Sequence, residues 1–221
     1  MKYESLYQVM NHMEKPIIAP EMRIYDQQGK RLYWSHEERG EFLEAANQES
    51  PEARLFCQVL HDTGCRPSEA LALNANGVQL IECTITLKTL KKRTHDGRGR
   101  LKQPQYPAVP ISSQLSEKLD LVFNLRKNQS IKQGGDSLWP MSRPTAYRLV
   151  KRVMGRANIA GPQATGKGLR HGFGVAMVTA AKPLPIHILA KAMGHSSTKT
   201  TEIYLQVIGQ EERGLFLAAW E

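Results

Sequence analysis

Over residues 77–91 the hydrophobic pattern of this chain changes period. Ile81, Cys83, Ile85 and Leu87 alternate with Glu82, Thr84, Thr86 and Lys88, and a spacing of two puts the two sets on opposite faces of a strand. A basic, glycine-containing loop follows, and Tyr106–Ile111 reads as the returning strand. Around this segment the apolar residues recur at helical spacing, so a single strand pair has to be fitted into a helical chain. The expected fold class is mainly α with a small antiparallel β-sheet, an α+β arrangement.

The helices announce themselves by their ends. Ser35-x-x-Glu38 is a capping box, followed by the apolar residues Phe42, Leu43, Ala45 and Ala46. Pro51 suits the first turn of a second helix carrying Leu55, Phe56, Val59 and Leu60, and Gly64 ends it. Pro67 then opens a short helix with Ala70, Leu71 and Leu73. Ser112 or Ser113 caps a helix expected to run to about Lys127, and residues 143–157 are helical again. After the loop GPQATGKG, helices are expected at about 168–181, 185–193, 198–207 and 210–219. Pro16, Pro20 and Gly29 break any long helix in residues 1–34, which read as an appendage with a hairpin near Arg23–Trp34. Residues 35–221 read as one domain.

At 221 residues and 41% hydrophobic the chain can bury a sizeable core. No apolar run approaches the roughly 18 residues of a membrane span, and MKYESLYQVMNHMEK lacks the apolar core of a secretory signal. Cys57, Cys65 and Cys83 form no C-x-x-C pair and suit a reducing compartment. These features predict a cytoplasmic protein without a membrane partner. Charge is unevenly placed: residues 1–56 carry 7 Lys+Arg against 10 Asp+Glu, whereas residues 57–221 carry 23 against 11. Such a concentrated surplus fits a polyanion, because Lys and Arg contacts release counterions from nucleic acid.

Three short segments carry candidate chemistry. In TGCRPSEAL, Arg66 follows the Gly64 turn at the start of a helix, and Glu69 lies three residues on, where it can orient the guanidinium or simply form a surface ion pair. In KGLRHGF, Lys167 and Arg170 are three apart and can face one anion, Arg as a planar fork and Lys as a point charge. In GHSSTKTTEIY, Gly194 ends one helix, His195 follows, and Ser197 can cap the next with Tyr204 seven residues along. On an α-helix that spacing turns Tyr204 back toward the His195 turn. No His/Asp/Glu cluster has ligand spacing, so neither a metal nor another cofactor is expected.

In order and approximate spacing, TGCRPSEALAL, the basic hairpin, KGLRHGFG and AMGHSSTKTTEIY resemble the catalytic domain of the tyrosine recombinase family (phage-integrase type), over residues 35–221. The resemblance implies that Arg66 and Arg170 bind the phosphate, that His195 is the late histidine, and that Tyr204 is the nucleophile. Glu69 matches the acidic residue that follows the first arginine, and Lys167 stands where the family most often has His. A lysine donates to a phosphate oxygen but shuttles protons poorly near neutrality, with a reference pKa of about 10.4. The family also places a general-acid lysine on the hairpin, for which Lys88, Lys91 and Lys92 are candidates. Counting by twos favours Lys91, with Lys92 next. Arg93, Arg98, Arg100 and Lys102, together with Lys88 and Lys92, read as phosphate contacts of the same loop.

The implied function is site-specific cutting and rejoining of DNA through a 3′-phosphotyrosyl intermediate, in contexts that include DNA integration and mobile genetic elements. The implied partners are double-stranded DNA, further copies of the chain in a synaptic tetramer on that DNA, and an accessory DNA-binding protein. The last follows because 34 residues are too few for the family's N-terminal DNA clamp. Two alternatives share much of the pattern: a type IB topoisomerase-like DNA-relaxing enzyme and a DNA-binding regulator that does not cleave.

Overall fold

A computed structural model of the chain describes residues 23–89, 106–130, 135–207 and 216–217. The first helix, α1 (His36–Ala46), begins at the expected capping box: the Glu38 amide donates to Ser35 Oγ at 3.3 Å, and the Ser35 amide donates to Glu38 Oε2 at 2.9 Å. The same carboxylate receives Arg31 and the Gln163 side chain, tying the start of α1 to two distant segments. Helix α2 (Pro51–Thr63) is capped by Ser50, buries Leu55, Phe56, Cys57, Val59 and Leu60, and stops at Gly64 with φ +60°. A side chain is excluded there, since a Cβ on Gly64 would lie 2.4 Å from the Phe173 ring. The short α3 (Pro67–Leu71) follows at once.

The sheet is smaller than the alternation suggested, and it differs in one respect. Strand β1 (Val78–Gln79) precedes a turn, and only then comes β2 (Thr84–Thr86), which pairs antiparallel with both β1 and β3 (Ala108–Pro110). Ile81 and Cys83 therefore belong to the turn. Cys83 has φ +46°, and Ile81 is 94% exposed. The chain reverses where the apolar spacing continued, so the inward row is Val78, Ile85 and Val109, directly paired across the three strands and buried. Leu87 and Ile111 extend the β2–β3 ladder through bonds to Pro107 O at 2.9 Å and Cys83 O at 2.8 Å.

The helix expected to reach Lys127 breaks at Asn124, whose φ of +50° separates α4 (Ser113–Phe123, capped by Ser112) from α5 (Leu125–Ser130). Helices α6 (Arg143–Arg156), α7 (Gly166–Val178) and α8 (Ile186–Ala192) lie within two or three residues of expectation. Residues 198–207 do not form the expected α-helix. They make two short 3₁₀ segments, Thr198–Thr200 and Glu202–Gln206. Of the helix expected at 210–219, only the helical pair 216–217 lies within the described residues.

Helix α7 runs between two apolar clusters. The larger gathers Trp34, Phe42, Phe56, Leu60, Ile85, Leu119, Trp139 and Leu169, and the smaller gathers Ile24, Tyr33, Phe173, Val175, Leu189, Met193 and Tyr204. Residues 23–34, read as part of an appendage, thus contribute to both. Tyr25 and Arg31 form a bridge, Ile24 and Tyr33 join the smaller cluster, and Trp34 donates its indole N–H to Gln163 O at 2.8 Å. Glycines let α7 come this close. A Cβ on Gly168 would lie 1.9 Å from Gln163 O, and one on Gly172 would lie 2.8 Å from Trp34 O.

This contact gives a direct test. Gly168→Ala should lower the unfolding free energy by about 1–3 kcal/mol, read by urea denaturation with tryptophan fluorescence. Gly155→Ala is the matched comparison, because its Cβ would meet nothing within 4 Å on α6, and it should be neutral or stabilising.

Candidate active site

The site forms where the ends of α2 and α8 meet the middle of α7. Arg66 is the N-cap of α3, and its main-chain N–H donates to Glu69 Oε2 at 2.9 Å while its Nη1 donates to Glu69 Oε1 at 2.7 Å. Glu69 is buried and Arg66 keeps 31% of its side chain exposed, so the carboxylate holds Nη1 of a guanidinium that is still reached by solvent.

Arg170 is nearly enclosed. Nη1 donates to Gly64 O at 2.7 Å, and Nη2 donates to Met193 O at 2.6 Å and meets His195 Nε2 at 3.2 Å. Glu69 Oε2 stands 4.0 Å away. Burial pulls the Arg170 pKa down, as does the neighbouring Arg66 charge, while the side chain of Glu69 opposes both. Lys167, expected to face the same anion, is exposed one turn earlier.

His195 has an assignable tautomer. Arg170 can only donate, so Nε2 is the acceptor and Nδ1 carries the proton. Nδ1 then donates to Thr201 Oγ1, 2.7 Å away on a fully buried side chain. This pair pins the start of the 3₁₀ segment that carries Tyr204. Beside His195 runs an open groove lined by Tyr106, Pro107, His187, Lys191 and Ser196.

Tyr204 differs most from expectation. The seven-residue spacing assumed an α-helix, but a 3₁₀ turn has three residues per turn and brings the phenol round differently. Tyr204 is 0% exposed, and its hydroxyl lies 3.1 Å from His171 Nδ1 rather than facing the His195 turn. Burial pushes its pKa up to about 12, against the lowering influence of Arg170 and Arg66. His171 is held neutral, its pKa pulled to about 4 by burial first and then by the Lys167 and Arg170 charges. The ring's other nitrogen, Nε2, is buried with no hydrogen-bond partner among the described residues.

The structure thus brings Arg66, Glu69, Arg170 and His195 together, with Tyr204 close enough to sense both arginines. Lys88 is exposed just after β2. Lys91, Lys92, Arg93, Arg98, Arg100 and Lys102 lie outside the described residues. Sequence reasoning missed His171, Gly174 and Thr201. A signal for the first two was present, since residues three apart on a helix share a face and GLRHGFG places a histidine and a glycine at that spacing.

The phage integrase family model matches residues 33–211, and the chain belongs to that family. It is similar to tyrosine recombinase XerA of Pyrococcus furiosus, at 27% identity over 179 residues that cover 78% of this chain and 56% of that protein. Its fold is similar to the crystal structure of XerA recombinase (TM-score 0.65, 23% identity, 85% of this chain and 64% of that one). It is also similar to XerH site-specific recombinase bound to its difH substrate in a pre-cleavage complex (TM-score 0.59, 20% identity, 89% and 60%). The chain therefore spans between half and two thirds of the length of these proteins.

The low pKa of His171 has a thermodynamic consequence. Its unfolded form binds a proton below about 6.5, whereas the folded form resists until about 4. The unfolded state therefore holds more protons in this window, and stability falls as pH drops through it. Wild type should lose on the order of 2 kcal/mol relative to His171→Asn between pH 7 and pH 4, measured by urea unfolding at each pH. Parallel pH profiles for the two proteins would show that His171 does not titrate as described.

Proposed function

We propose that this chain is the catalytic part of a site-specific DNA recombinase that cuts and rejoins strands by transesterification. The observation that carries this reading is the convergence of Arg66, Glu69, Arg170 and His195 through contacts of 2.7 Å, 4.0 Å and 3.2 Å, with Tyr204 near enough to feel both arginine charges. In the reaction, Tyr204 gives up its phenol proton, for which His195 Nε2 is the candidate base, and Oη bonds to the scissile phosphorus as the bond to the 5′ oxygen breaks. The products are a 3′-phosphotyrosyl link and a 5′-hydroxyl, and the phosphoester energy is kept for rejoining.

Each residue has a role that its surroundings support. Arg66 presents its solvent-reached guanidinium to a non-bridging oxygen, and Arg170 and the Nε2 side of His195 form the inner wall where charge develops. Two arginines answer that charge without a metal ion. Lys167, exposed beside them, is a further phosphate donor, and Lys91 supplies the proton to the departing 5′ oxygen. The groove with Lys191 and His187 continues the positive surface along a DNA backbone. Similarity to a recombinase solved on DNA supports double-stranded DNA as the substrate. Assembly as a synaptic tetramer, help from an accessory protein, and a cytoplasmic location belong to the same proposal. Among the described residues, no helix is long and apolar enough to cross a membrane.

The test is covalent capture on a nicked suicide duplex, followed by gel shift of the protein–DNA adduct. Tyr204→Phe should abolish the adduct, and Arg66→Ala should slow its formation by about 10²–10³ while duplex binding persists. Lys91→Ala should be rescued by a 5′-bridging phosphorothioate, whose leaving group needs no acid. Adduct formation by Tyr204→Phe would overturn the nucleophile assignment.

A further inference from the structure

Three features of the smaller apolar cluster concern one side chain. The Tyr204 ring lies against Gly174, where a Cβ would meet Cζ and both Cε atoms at 2.4–2.7 Å, so only glycine leaves room for it. Its hydroxyl reaches His171 Nδ1 at 3.1 Å, and the two rings meet edge-on with centroids 5.8 Å apart. His171 and Gly174 are three residues apart on α7, so one helix face supplies both the space and the polar anchor.

We propose that His171 is the positioning residue that sets where Tyr204 rests: its Nδ1 holds the phenol hydroxyl in a buried seat cut by Gly174, and the nucleophile reaches phosphate only after this bond is released. The inference rests on the reading of Tyr204 as nucleophile. The seat holds an unreactive form. The phenol is protonated and the imidazole neutral, whichever of the two carries the shared hydrogen. It is also favoured over simple exposure, because His171 Nε2 is already unpartnered among the described residues, and departure of Tyr204 would leave Nδ1 in the same condition. Release is mechanically simple. The 3₁₀ segment Glu202–Gln206 is short, and the Thr201–His195 bond can stay in place as its fixed end while Tyr204 swings out. No covalent bond is broken in this step, and besides the phenol bond the main-chain bond from Tyr204 N–H to Thr201 O (3.1 Å) ties Tyr204 to the fixed end.

The experiment separates a seat from mere packing by moving the polar atom. In His171→Asn the amide sits near the Nδ1 position, and in His171→Gln it sits near the Nε2 position. Both variants are polar and similar in size. Nitration of folded protein by tetranitromethane without DNA, read by peptide mass spectrometry, reports Tyr204 accessibility, with the 62%-exposed Tyr147 as internal standard. Wild type and His171→Asn should protect Tyr204 at least about tenfold relative to Tyr147. His171→Gln should lose that protection, and Gly174→Ala, which fills the seat without touching His171, should lose it too. Equal protection in His171→Asn and His171→Gln would overturn the assignment, as would nitration of wild-type Tyr204 at the Tyr147 rate. Adduct formation on the nicked duplex supplies the second arm. Slower capture by His171→Gln with Tyr204 still protected would instead make His171 a direct participant in the chemistry and sink the positioning role. Because nitration needs no DNA, its outcome stands even where Tyr204→Phe continues to form adducts and the nucleophile reading fails.

Discussion

The buried guanidinium of Arg170 is the interaction on which the site depends. It ends up almost out of water, and an unpaired charge there would be severely destabilising. Its donors are instead distributed to Gly64 O at the end of α2, Met193 O at the end of α8, and His195 Nε2. Carbonyls at helix C-termini carry partial negative charge and lack intrahelical partners. The cation therefore satisfies two orphan acceptors while joining three elements that are far apart in sequence. A lysine has one ammonium where arginine has a planar fork, and could not bridge these points at once. Glu69 completes the arrangement from the α3 side, holding Arg66 and standing near Arg170.

From that clamp the character of the neighbouring groups follows. Lys167 and Arg170 both precede His171 on α7, and their charge adds to burial in keeping its ring neutral. Arg170 accepts nothing, so His195 must present a lone pair to it and a proton to Thr201. Arg170 thus sets the tautomer of His195 directly, and at His171 it adds only to the effects of burial and Lys167. Helix α7 can hold this polar set between two apolar clusters because its glycines let Trp34 approach on one side and Tyr204 on the other.

What was legible in the sequence was local. The Ser35–Glu38 box, the Gly64 stop and Pro51 at a first turn depend on neighbours within four residues, and the structure shows each where expected. The pairing of Arg66 with Glu69 is of the same kind. What was not legible depended on distant contacts. Ile81 continues an alternating pattern but sits in a turn, because the pattern does not reveal where a chain reverses. Asn124 can adopt a positive φ, yet nothing adjacent says that it must. The 3₁₀ segment Glu202–Gln206 goes with side chains anchored to His171 on α7 and to His195, contacts that adjacent residues do not announce. The periodicity of those few residues suits either helix.

With Tyr204 as the proposed nucleophile, its buried seat reconciles two demands on one side chain. Attack on phosphate needs an exposed phenol that loses its proton readily. The apolar cluster around Ile24, Tyr33, Phe173 and Leu189 needs a large ring to fill it. In the seat, Tyr204 serves the second demand, and its raised pKa follows from that burial. In the proposed reaction, beside a phosphate held by Arg66 and Arg170, the desolvation that raises the pKa would be relieved. The arginine charges that already lower it would then act at closer range. Under this proposal, movement of one short segment would change both position and acidity, and the acidity would follow the position because the same two arginines define the destination.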